Sequence, residues 1–108
     1  ITFDATQIAI RPIKKPIIKK LLCFETPSST EWGLGKTPFH PNTFVDISKS
    51  IKKKIEAMEK YEHEVEPFPH PRSKKSILSR SNYWGTFIGM ENVEPFMLMR
   101  ELSNLNSI

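Results

Sequence analysis

Thr43-Phe44-Val45-Asp46-Ile47-Ser48 decides how the chain is read. Phe44, Val45 and Ile47 are apolar and Asp46 is not, so residues 43–47 are predicted to form a strand. Ser48 follows as an N-cap, because its hydroxyl can accept from a free amide of a first helical turn. The pattern then changes period. Ile51, Ile55 and Met58 fall at i, i+4 and i+7, while Lys52, Lys53, Glu56, Glu59 and Lys60 face solvent. This predicts a helix from Lys49 to about His63. A strand that runs straight into a helix is the unit of α/β layers.

Upstream, Pro27 to Asn42 reads as a loop, with three prolines, two glycines and Ser28-Ser29-Thr30. Its length suits a functional loop, and Trp32, Phe39 and His40 suggest an ordered binding wall. Ile17 to Thr26 is a short apolar run without helical spacing, read as a buried strand. Pro12 to Pro16 is a stiff linker. The first eleven residues read as a helix tail that Pro12 stops.

Downstream, Pro67, Pro69 and Pro71 force the chain out of the helix. Ser73 caps a further helix to about Gly89, with Ile77, Trp84 and Ile88 on its apolar face. Ser81, Gly85 and Gly89 recur every four residues, a strip without bulk where another backbone can approach. Asn92 to Met99 is read as a last strand, pushed to a sheet edge by Pro95. The tail from Ser103 is expected to fray.

The chain has 108 residues, a net charge of +4 and 38% hydrophobic residues. That allows one modest core and excludes two independent domains. No apolar run is long enough to span a membrane. No signal peptide is visible, and the first residue is not Met, so a fragment or a processed product is expected. The single cysteine, Cys23, excludes an internal disulfide framework and a Cys-rich zinc site. It lies in Leu21-Leu22-Cys23-Phe24 and is read as a buried, inert thiol, which fits a reducing, cytoplasmic setting. Of the 16 basic residues, the Lys clusters Lys14-Lys15, Lys19-Lys20, Lys52 to Lys54 and Lys74-Lys75 are scattered along the chain, and neither Trp is flanked by a basic stripe. A solvated surface is therefore preferred to a nucleic-acid partner.

The chemistry is incomplete. His63 and His70 are seven residues apart with Pro67 and Pro69 between them, and His40 has no neighbouring ligand, so no self-contained metal site is expected. There is no nucleophile elbow, and Gly33-Leu34-Gly35-Lys36 lacks the spacing of a P-loop. Pro69-His70-Pro71-Arg72-Ser73 places an imidazole and a guanidinium on a stiff turn at a helix start, where anions are attracted.

Five separated strings add a resemblance. They are Leu22 to Trp32, Phe39 to Ser48, Lys53 to Met58 with Tyr61 to Glu64, Pro69 to Ser73, and Gly85 and Gly89 with Val93-Glu94-Pro95-Phe96. In this order they resemble the C-terminal half of the PIG-L (LmbE-like) family of zinc-dependent N-deacetylases, over nearly the whole chain. The resemblance implies an α/β fold, the C-terminal part of a Rossmann-like three-layer domain with an incomplete sheet in this chain. It implies a zinc-dependent hydrolase that removes an N-acetyl group from an N-acetylglucosamine-type sugar or related conjugate. The family's Pro-His-Pro-Asp-Asp-Glu motif and later metal-binding His are not in this sequence. Catalytic and metal residues are therefore expected outside the chain, and the chain alone is expected to be inactive.

Substrate contacts are expected from Glu31, Trp32 and His40 in the loop and from His70 and Arg72 at the helix start. Trp32 would stack on a sugar face and Arg72 would meet a substrate phosphate or carboxylate. Expected partners are the amino-sugar substrate and a missing N-terminal half or an oligomer neighbour, with no nucleic acid. The rival reading is a truncated, non-catalytic interaction module.

Overall fold

The computed structural model describes residues 2–11, 18–27, 29–33, 38–61, 63 and 65–104. Seven elements follow in chain order: α1 Thr2–Ala9, β1 Lys20–Phe24, α2 Ser29–Trp32, β2 Thr43–Asp46, α3 Ile51–Glu59, α4 Lys74–Gly85 and β3 Val93–Glu101. The protein is a mixed α/β chain whose strands form a three-stranded sheet in the order β1-β3-β2. Two compact units divide it. One joins the residues up to Cys23 with those from Leu98 onward; the other is the continuous stretch Phe24–Met97. The expected linker Pro12 to Pro16 and the end of the tail, residues 105–108, lie outside the described residues.

In the first unit, Ala5 and Ala9 favour helix, and the Thr6 hydroxyl donates back to the Thr2 carbonyl at 2.8 Å. Leu102 N donates to the Lys19 carbonyl at 2.7 Å, and Lys20 pairs with Glu101 at 3.5 Å. Both partners of that ion pair are exposed, so it contributes little. β1 is not the buried strand its apolar run suggested. Its residues alternate between exposed and half-buried, and Cys23 is half-buried rather than enclosed. The two-residue period of a strand puts Leu21 and Cys23 on one face and leaves Leu22 and Phe24 on the other.

The second unit holds every buried apolar side chain among the described residues: Ile47, Ile51, Ile77, Val93 and Pro95. Val93 is 1% exposed, and complete burial of such a side chain contributes about 1.5–3 kcal/mol. β2 pairs antiparallel with β3, with Phe44 opposite Pro95 and Asp46 opposite Val93. Three expectations change here. First, Ser48 does not cap the helix after β2. The Asp46 carboxylate accepts from Ser48 N at 3.0 Å and from its hydroxyl at 2.7 Å, while Ser48 Oγ accepts from Asn92 N at 3.2 Å. The helix starts two residues later, with Ser50 at the N-cap position. It also ends earlier, at Glu59.

Second, β3 is the central strand although it contains Pro95. Ile47 N donates to the Asn92 carbonyl at 2.9 Å, so the Ile47/Asn92 position is hydrogen-bonded. Antiparallel pairs alternate, which makes Phe44/Pro95 a position where β2 asks for no amide from the proline. Third, only one of the two helical glycines serves close packing. A Cβ on Gly85 would collide with the Met90 carbonyl oxygen and meet the Glu91 oxygen at 3.1 Å. Gly89 has open space around it and φ of +72°, which makes it a turn glycine after the helix has ended at Gly85. Ser73 caps α4 as expected: its Oγ accepts from Ser76 N at 3.0 Å.

A candidate substrate-contacting site

The site is built within Phe24–Met97. Pro67, Pro69 and Pro71 restrict the approach to α4, and two successive turns close it: His70 N donates to the Pro67 carbonyl at 3.1 Å and Ser73 N to the His70 carbonyl at 2.9 Å. The Phe68–Pro69 peptide bond is cis. Inside the second turn, Arg72 N donates to Nδ1 of His70 at 3.0 Å. An imidazole nitrogen that accepts an N–H carries no proton, so this hydrogen bond assigns the His70 proton to Nε2.

The loop after β1 comes to the same place. Ser29 N and Thr30 N both donate to the Thr26 carbonyl, at 3.1 and 2.8 Å, and Thr26 N donates back to Thr30 Oγ1 at 2.8 Å. These bonds wind the single turn α2, which ends on Trp32. The indole meets the His70 ring edge to face, with centroids 5.0 Å apart, and remains 60% exposed. Trp32 is therefore fixed by one ring contact while more than half of its surface stays exposed.

Beside Trp32, Glu31 forms an ion pair with Nη1 of Arg80. The same Nη1 lies 3.5 Å from Glu25 Oε2, which also accepts from Trp84 Nε1 at 3.3 Å. Only 14% of the Glu25 side chain is exposed. Burial pushes its carboxyl above the usual carboxylate range, against the opposing pull of Arg80, the Trp84 hydrogen bond and Lys54. Asp46, in contrast, is held below the usual range by the two hydrogen bonds it accepts from Ser48.

Of the five residues read from the sequence as substrate contacts, the structure gathers three into named contacts around one spot: Glu31, Trp32 and His70. Arg72 is half-buried on the turn that carries His70. His40 is exposed ahead of β2 and joins none of these contacts. Glu25 and Arg80 were not foreseen. A carboxylate directly after an apolar strand, and an arginine one turn from the buried Ile77 on a helix, were the available signals. Their pairing across 55 residues left no local trace. Among the described residues, no three His, Cys, Asp or Glu side chains come together to hold a metal ion. No helix among them is long and apolar enough to cross a membrane. Comparison with protein-family models, curated proteins and solved structures gives no match to this chain.

Proposed function

We propose that this chain supplies the substrate-contacting wall of a zinc-dependent N-deacetylase acting on an N-acetylglucosamine-type sugar or a related conjugate. The observation that carries the reading is the contact between Trp32 and His70. It joins two of the five strings of the sequence, Leu22 to Trp32 and Pro69 to Ser73, that together resemble the PIG-L family. An exposed indole fixed by one ring contact can stack on the apolar face of a sugar ring. The Nε2–H of His70 can donate to a hydroxyl or carbonyl oxygen.

In this reading the metal and the general base of the reaction come from residues outside this chain, because the family's Pro-His-Pro-Asp-Asp-Glu motif is not in the sequence. When bound, the metal would polarise the acetyl carbonyl and activate water. The part of this chain is to bind and orient the sugar. A Rossmann-like domain would need further strands beyond the three in the order β1-β3-β2.

The rival reading, a non-catalytic interaction module, draws on another surface. Tyr83 and Phe87 are 56% and 55% exposed, and Phe87 stacks on Phe44 at 6.1 Å. Assay of the full-length natural chain separates the two. The deacetylase reading expects bound zinc and release of acetate from N-acetylglucosamine conjugates. Trp32→Ala and Arg72→Ala are each expected to lower kcat/KM by a factor corresponding to about 1.5–3 kcal/mol, largely through KM, with Tm little changed. Absence of turnover in zinc-loaded full-length protein would refute it. Variants within about threefold of wild type would remove these residues from the substrate site.

A further inference from the structure

A cleft of about 210 Å³ opens behind the Glu25–Arg80 pair, between α3, α4 and the start of β3. Its apolar wall is Phe24, Pro27, Met58, Pro71, Ile77 and Val93. Four charged residues also line it: Glu25, Lys54, Arg80 and Glu94. Each of these already faces its opposite. Arg80 holds Glu25 and Glu31, and Lys54 Nζ lies 3.2 Å from Glu94 Oε1. The order Glu31, Arg80, Glu25, Lys54, Glu94 therefore alternates in sign.

We propose that this cleft is a binding subsite for an uncharged, ring-sized apolar group, a neutral aryl or short branched-alkyl moiety. Volume and charge both select this occupant. A dry apolar cavity of about 150 Å³ is enough to take up benzene. A charged guest would have to part an existing ion pair and leave one of its members unmatched, at greatest cost for the largely buried Arg80 and Glu25. A neutral ring needs no such exchange and covers Met58 and Ile77, both on the apolar wall. The inference rests on this cleft alone and stands or falls separately from the deacetylase reading, because its readout is binding rather than turnover.

The test uses the full-length protein with ¹³C-labelled Met and Ile methyl groups, titrated with benzyl alcohol, benzoate and benzylammonium. These three probes share one ring and differ in charge. Benzyl alcohol is expected to shift the Met58 and Ile77 methyl signals saturably, with Kd of about 1–10 mM for so small a ligand. Benzoate is expected to bind at least about tenfold more weakly. A Met58→Trp variant, whose indole fills the cleft, is expected to abolish the shift at Ile77. If that variant does not fold, the wild-type shift map decides. Absence of a saturable shift at both methyl groups, or benzoate or benzylammonium binding more tightly than the alcohol, would overturn the proposal. So would an undiminished Ile77 response in folded Met58→Trp.

Discussion

Glu25 is the residue whose environment makes the sharpest demand. Its carboxyl is raised above its ordinary value of 4.5 by burial. A carboxyl with a raised folded-state pKa holds its proton more tightly in the native chain than in the unfolded one. Its contribution to stability is thus full below pH 4.5 and is lost as pH rises through the folded-state value. A Glu25→Gln variant keeps an oxygen for Trp84 Nε1 and cannot ionise. Its Tm relative to wild type is therefore expected to increase from about pH 4 to about pH 7. Thermal melts of the two proteins across that range check this; a difference that shrinks with pH would show that attraction to Arg80 outweighs burial. Single residues were also where sequence reasoning was least complete. Trp32 and His70 were legible because an aromatic in a Pro/Gly loop and an imidazole between prolines are locally unusual. Glu25 and Arg80 were not, because a partnership made only by folding has no period and no spacing. Ser48 misled for a related reason: Asp46, two residues before it, captured the serine and moved the helix start to Ser50.

At the level of elements, periodicity carried most of the information. The residue types of 43–47 and the Ile51, Ile55, Met58 spacing located β2 and α3, since burial of one face is what those patterns record. Helix ends and strand neighbours were less legible. Pro95 argued for an edge strand on general grounds, and only the hydrogen-bond alternation with β2 shows why a central strand tolerates it here. The α4 glycines looked equivalent in sequence, yet they answer to different forces, and substitution can separate them. Gly89→Ala keeps its open space and bears only the cost of a left-handed backbone, about 1–2 kcal/mol. Gly85→Ala must push its new methyl into the Met90 carbonyl, which forces the backbone after α4 to shift. Urea unfolding of both variants is expected to rank Gly85→Ala as the more destabilising. The reverse order would mean that the 85–91 segment moves aside freely.

For the molecule as a whole, the two units differ in what holds them. Ile47, Ile51, Ile77 and Val93 all belong to Phe24–Met97, and none of the described residues of the other unit is buried. Segments with few buried apolar contacts open at lower free energy. Backbone amides of Leu21, Leu22 and Met99 to Glu101 are accordingly expected to exchange with deuterium faster than those of α4 and Val93. Equal protection throughout would show that both units open together. The α/β character was readable because strand and helix periods alternate along the chain. The division into two units was not, since it depends on where a single strand, β3, stops packing against the residues before it.

That division has a consequence for biosynthesis. The unit Phe24–Met97 is continuous, so all its residues leave the ribosome in one stretch. The other is assembled from the two ends of the sequence, and its bond from Leu102 N to the Lys19 carbonyl joins residues 83 positions apart. Folding during synthesis commonly proceeds from the N-terminus. Here the residues up to Cys23 must wait for those from Leu98 onward, while the stretch between them is free to fold ahead. A nascent chain halted before Leu98 would hold the complete middle unit and a leading segment whose partner had not yet been translated.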